Sequence, residues 1–367
     1  MNSSTGGLRS AANARQDSPL APVTVTFGQF WAGFGALIFG VEAYFIVKWI
    51  TGPNWKPVDP GPDVAPAWML SAAFWVQVIS VVGFFLCCYG LLLRPWQREQ
   101  RVTSDGLLFI GFVTASPWDM LSNYAQSWFV YSSNLVNYRS VMGELPGILS
   151  YRAPGINEAW QPLQVPFNYG MFVFVAMLGC WILRKLKARW PAMGLASMIG
   201  VMLLFTFCCD AALENLLLPF GFYTLAGGWP LFNAGKYYQY ALHEGVFVAF
   251  TFTAITFSRY YTNDKGETFG ERGIDRLPIS TTRKNIMRGL GTIAIVHGSF
   301  LFFFHLPVGT FIAPNSNEWP QDIQSRSYLT NGLCGPHVNR ACPGPNVPIS
   351  KPGSPYMDYS GKMVNPR

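Results

Sequence analysis

The residues best placed to do chemistry lie between Cys208 and Glu244, in the stretch CCDAALENLLLPFGFYTLAGGWPLFNAGKYYQYALHE. Asp210, Glu214, His243 and Glu244 stand there among side chains that are almost all apolar. A charge at the centre of a lipid-spanning helix costs about 2.5–3.5 kcal/mol or more, so such residues are rare, face inward and usually have a task. The Asp210-to-Glu214 interval matches one turn of helix, which puts both carboxylates on one face. His243 and Glu244 open the next apolar segment, across a Gly-rich loop. Carboxyl groups crowded into a dry pocket separate in proton affinity, one staying protonated to donate while another stays ionised to accept. Acid–base catalysis at neutral pH has that requirement, and these four are the expected catalytic residues.

The surrounding elements must be membrane helices. Of 367 residues 50% are hydrophobic and only 12% charged, whereas soluble domains carry about 25% charged residues. Apolar runs of bilayer-spanning length explain the deficit. Seven spans are expected, at 26–50, 67–93, 106–124, 165–183, 191–218, 237–259 and 285–306, giving an all-α polytopic transmembrane bundle. The net charge of +7 would suit nucleic acid. The basic residues, however, fall in short loops between the runs, so the bilayer is the expected partner and nucleic acid is not. Loops 94–101, 184–189 and 260–284 carry the basic clusters, while 51–66 and 219–236 hold one lysine each. The positive-inside rule then puts the amino terminus in and the carboxyl terminus out. Pro117 interrupts the third span and frees the Val113 carbonyl, which needs another donor.

Outside the bundle (25–306), residues 1–24 read as a disordered cytoplasmic tail, 125–164 as an aromatic external lid or binding segment, and 307–367 as a Pro/Gly-rich, irregular external tail. Cys334 and Cys342 in that tail are able to pair if it lies in an oxidising compartment. None of the cysteines shows metal-ligand spacing, and neither metal nor cofactor is expected.

This topology sorts the buried polar groups by depth. Asp119 after Pro117, Glu42 in the first span, and His297 and His305 in the last fall near the outer half of the bilayer with the central four. Asp119 with Asn123, Tyr240 with Glu244, and Gln239 with His243 repeat the helical four-residue relation. Asp119, Asn123, Tyr223, Tyr240, His297 and Glu42 are therefore the expected substrate-binding set. The competing reading is that these groups pair across helices as interhelical glue, or, for Asp119, cap a broken helix. Two adjacent acids repel unless something uses or neutralises them, which favours function for Asp210 and Glu214.

Four stretches, PWDMLSNY at 117–124, VYSSNLVNY at 130–138, LENLLLPFGFY at 213–223 and YYQYALHEG at 237–245, resemble the AveC family of membrane spirocyclases. The resemblance covers about 27–306 in the same order. It implies an actinobacterial membrane protein of secondary metabolism, forming a spiroketal on a lipophilic polyketide with dehydration in the avermectin case. No catalytic residue is carried over from it. The implied reaction suits the acids: a dihydroxyketone closes to a hemiketal, loses water through an oxocarbenium ion, and is trapped by its second hydroxyl. Glu214 or Asp210 would be the general acid, with Glu244 and His243 as base and orienter, a division resembling that of glycosidases. The substrate is expected to be a lipophilic hydroxylated molecule, polyketide- or sterol-like. Two alternatives remain at this stage: a proton-coupled carrier of a lipophilic metabolite, and a non-catalytic membrane subunit.

Overall fold

The computed structural model describes residues 26–53, 55–144, 164–349 and 354–365. The expected tail at 1–24 and residues 145–163 of the expected lid lie outside them. Helix α1 (Phe27–Ile50) starts at a reciprocal cap, in which the Thr26 hydroxyl accepts the Gln29 N–H and the Gln29 side chain accepts the Thr26 N–H. The small residues Ala32 and Gly35 let α1 lie directly on α9 (Thr281–Phe300). A Cβ at Gly35 would overlap the Leu290 carbonyl.

Helix α2 (Ala67–Cys87) runs on through a π-helical segment, Cys88–Leu93, into α3 (Arg94–Glu99). Pro95 has no N–H for the Leu91 carbonyl, and the helix widens just before it. Helix α4 (Ser104–Ala115) changes at Pro117 into a 3-10 helix, Ser116–Asn123. The carbonyl freed by that proline is met locally, since Ser116 Oγ donates to Val113 O at 2.9 Å. Helices α5 (Val165–Met171) and α6 (Val173–Arg189) form one rod broken at Phe172, and α7 (Leu195–Leu217) packs against α8 (Leu242–Tyr260). Helix α9 continues past its expected end at 306 through two π segments, Leu301–His305 and Val308–Ile312, which flank Pro307.

Among the described residues, five rods are long and apolar enough to cross a membrane: Phe27–Ile50, Ala67–Glu99, Val165–Arg189, Leu195–Phe220 and Thr281–Asn315. The remaining two expected spans are α4 with its 3-10 extension, and α8. The first has only 12 residues of α-helix, or about 18 Å. The second is diluted by His243, Glu244, Arg259 and its threonines. Helix α9 is the hub, touching α1, α4 and α8.

Short antiparallel pairs close one end of the bundle. Strand β1 (Val130–Tyr131) pairs with β2 (Tyr223–Thr224), opposing Tyr131 to Tyr223. Strand β3 (Pro230–Phe232) pairs with β4 (Tyr240–Ala241), so residues 237–241, expected as helix, precede it instead. The last pair, β5 (Tyr356–Met357) and β6 (Met363–Val364), lies in the carboxyl-terminal region.

The tail beyond α9 has little regular structure apart from the single turns α10 (Gln321–Gln324) and α11 (Ser327–Thr330). Its side chains nevertheless belong to the core. Trp319, Tyr328 and Leu329 are buried in one cluster with Trp49, Met69 and Trp128. Cys334 and Cys342 are disulfide-bonded, with Cα atoms 4.8 Å apart. The tail is therefore a cap. It grips β1 through Asn331 Nδ2 to Tyr131 O (2.6 Å), and the following loop through Ser133 N–H to Tyr328 O (2.9 Å).

Candidate functional site

Four carboxyl groups from three elements border shared space. Helix α7 presents Asp210 and Glu214 on one face, α8 presents Glu244 in its first turn, and the 3-10 helix after Pro117 presents Asp119. Three of the four are held by phenols. Asp119 accepts from both Tyr131 and Tyr169, each at 2.6 Å. Glu214 accepts from Tyr223 at 2.8 Å, and Asp210 from Tyr240 at 2.8 Å. Among the described residues Glu244 has no such donor, and its buried Oε2 has no partner. Burial pushes the Tyr131 and Tyr223 hydroxyls well above the ordinary phenol range, and the neighbouring carboxylates add to it. Both phenols therefore remain donors at any working pH.

The acids line two adjoining hollows. The larger, about 410 Å³, reaches from Asp119, Glu214 and Glu244 toward Gln164, Asn168 and Val76. The smaller, about 110 Å³, runs between α7 and α8 past Asp210 to Cys209, Val248 and Phe252. Asp119, Glu214 and Glu244 border both. Apart from Gln164 and Asn168 in the larger and Thr206 and Cys209 in the smaller, the remaining walls are aliphatic and aromatic. Among the described residues no three His, Cys, Asp or Glu side chains come together as a metal-ligand group. The acids thus face common space without closing on one ion-sized point.

Not every residue singled out in the sequence reaches this space. His243, expected as the orienter of Glu244, lines neither of these hollows, and no hydrogen bond joins the two side chains among the described residues. One residue along a helix turns the side chain by about 100°, and the imidazole packs against Trp128 at 4.6 Å and beneath Gly228. Gly228 adopts φ +85° there, and any Cβ would strike the ring. Asn123 does not meet the hollow either. Its Oδ1 accepts the Trp128 and Phe129 N–H groups and its Nδ2 donates to Phe129 O, so it braces the turn into β1.

Glu42 and His297 form a separate buried pair, 3.7 Å apart, between α1 and α9. His297 Nε2 also meets Thr114 Oγ1 at 3.0 Å and Gly111 O at 3.2 Å. The pair lines neither hollow, and its geometry is that of interhelical contact. His305 is buried against Phe300 and Phe304 with neither ring nitrogen partnered. Tyr223 and Tyr240 are at the site, but each serves an acid of α7. Tyr240 lies in β4, not on α8, so its four-residue spacing to Glu244 places nothing on a common face.

Two participants escaped the sequence reading. Tyr131 lies in a quoted motif, yet its partner Asp119 is 12 residues away through an irregular turn. Tyr169 meets Asp119 only through the packing of α5 on α4, and no local spacing encodes that contact. Gln164 and Asn168 also line the large hollow. Asn168 Oδ1 is already taken by Ser80 Oγ, whereas Gln164 Oε1 is buried without a partner.

The fold and site define a helical bundle that encloses an apolar, carboxylate-bordered chamber. No curated protein and no solved structure matches the chain. The family model described as spirocyclase, AveC-like, matches residues 99–329. The chain belongs to that family, and membership places it among cyclase-type enzymes. The match begins at Glu99, the last residue of the second rod, and runs into the cap as far as Leu329, so the first part of the cap shares the family pattern, whereas residues 27–98 of the expected resemblance lie outside the match.

Proposed function

We propose that the protein is a membrane-embedded cyclase that closes a lipophilic dihydroxyketone to a spiroketal by acid–base chemistry. The observation that supports this most is the chamber itself: three phenol-held carboxyl groups and a fourth carboxyl without such a donor, bordering two adjoining, mainly apolar hollows. In this reading Glu214 or Asp210, protonated, gives its proton to the hydroxyl of the hemiketal carbon. Water leaves, and the remaining ionised carboxylates stabilise the oxocarbenium ion. The second hydroxyl adds to that carbon, and Glu244 takes its proton. One water is lost overall, the number of protons on the site is unchanged, and return of the proton from Glu244 to the α7 acid resets it for the next turnover. Asp119 and its two phenols position the hydroxyl arms. Few competing water molecules reach an apolar chamber, which favours ring closure.

The setting proposed is a bacterial cell membrane with seven crossings, amino terminus in and cap out. Helix α4 with its 3-10 extension measures about 34 Å by the rises of the two helix types, enough to cross a core of about 30 Å. The disulfide in the cap suits an oxidising compartment. Leu213 lines both hollows and is 43% exposed, offering an apolar threshold to a guest arriving from lipid. Asp210→Asn and Glu214→Gln test the reading. Each is expected to cut turnover of a dihydroxyketone at least about tenfold, a conservative bound beneath the roughly 100-fold low end of a general acid's contribution, with expression unchanged. Turnover unchanged in both would remove α7 from the mechanism.

A further inference from the structure

The two hollows have unequal sizes, and the acids stand on the wall between them. We propose that they hold the two arms of one substrate, with the reacting carbon at Glu214 and Glu244, and that the small hollow sets the length of the short arm. This rests on the spiroketal reading and adds a substrate class to it: a ketone flanked by two hydroxyl-bearing arms, one short and apolar, the other long and carrying a polar group.

The geometry supports each element. Ring closure at an internal ketone requires both arms to fold back on one carbon, so a site for it needs two spaces diverging from the proton-transfer groups. Glu214 and Glu244 border both spaces, while Val248 and Cys209 line only the small one and Val76 and Gln164 only the large one. A cavity of about 150 Å³ takes up benzene, so a hollow of about 110 Å³ admits an arm of roughly four or five carbons by the same scale. Apart from Asp210, Thr206 and the shared acids, its walls are apolar. The Thr206 hydroxyl donates to the Met202 and Ala249 carbonyls, and Asp210 Oδ2 accepts from Tyr240. The polar atoms of the small hollow are thus confined to its acid-bearing wall, and the space toward Val248 and Phe252 is apolar. The large hollow differs. Gln164 Oε1 is buried on its wall, without a partner among the described residues, and is an acceptor for a hydroxyl on the long arm.

The test uses synthetic δ,δ′-dihydroxyketones with one long alkyl arm held constant and the other terminated by hydrogen or by alkyl groups from methyl to hexyl. For the wild type kcat/KM is expected to fall by about tenfold or more per carbon once the small hollow is full. Val248→Ala should move that cut-off to longer arms, and Val248→Phe to shorter ones. Val76→Phe should leave it in place while penalising a longer constant arm. Opposite shifts from the two substitutions at one position exclude misfolding as the cause. Binding of the matching ketones without hydroxyls, read as thermal stabilisation in detergent, separates the two readings. If wild type converts none of the ketones but the stabilisation profile shifts with Val248, the two-arm assignment stands and the reaction does not. If conversion occurs and the Val248 and wild-type cut-offs coincide, the two-arm assignment is overturned. Neither conversion nor arm-dependent stabilisation would overturn it as well.

Discussion

Asp119 is the most heavily supported acid of the chamber, and removing one of its phenols isolates what that support does. Tyr169→Phe deletes a 2.6 Å hydrogen bond while keeping the ring that packs on Phe172 (5.0 Å) and Phe300 (5.7 Å). Tyr131→Phe deletes the other 2.6 Å bond and keeps the ring against Phe129 (5.6 Å). A hydrogen bond to a charged group contributes about 1.5–3 kcal/mol. If Asp119 works as an ionised group in the transition state, each substitution should lower kcat/KM by about 10- to 150-fold. Because both phenols serve one carboxylate, the double variant should depart from the product of the singles. The assay is conversion of a δ,δ′-dihydroxyketone by protein in detergent, with thermal unfolding measured alongside. A fall in unfolding temperature without a fall in kcat/KM marks a structural role only. Both single variants within twofold of wild type would refute the assignment of Asp119 to the reaction.

Three further outcomes are expected. Cys334→Ser with Cys342→Ser should destabilise the cap by about 2–3 kcal/mol, the loop-closure value for so short a span, seen as a lower unfolding temperature that added reductant reproduces in wild type only. Asp322 is pushed up by partial burial but held lower on balance by the Tyr237 N–H and Arg326, so its carboxyl titrates below the ordinary range. Its contribution is complete above the unfolded value of about 3.9 and is lost as pH falls through the lower folded value. Wild-type and Asp322→Asn unfolding temperatures should therefore converge only in acid, and a gap constant with pH would contradict this. Cysteines introduced at Ser360 and Lys265 should react with an impermeant thiol reagent in intact cells at the first position only. The reverse pattern would invert the proposed topology.

The rods were legible because a bilayer-length apolar run signals itself locally. So were Asp210 and Glu214, whose spacing on a regular helix determines a shared face. The same rule failed wherever the backbone left the α-helix. Asp119 and Asn123 sit on a 3-10 turn, and Tyr240 on a two-residue strand, so their four-residue intervals carried no meaning. His243 shows a second limit: adjacency to Glu244 on a helix separates side chains, and the ring went to Trp128. Tyr169 and the buried cap depend on contacts between distant segments, which spacing along the chain does not contain. Depth alone drew Glu42 and His297 toward the site, but depth does not specify azimuth, and they met each other across α1 and α9.

Conversion in detergent, without a membrane gradient, bears most directly on the central claim. The purified protein is given a δ,δ′-dihydroxyketone and the spiroketal is resolved by chiral chromatography. The account predicts acceleration over the protein-free rate by at least about 100-fold, with one configuration at the spiro carbon. A protein-free rate with both configurations formed equally would contradict it, and would leave the chamber as a binding site for a lipophilic guest.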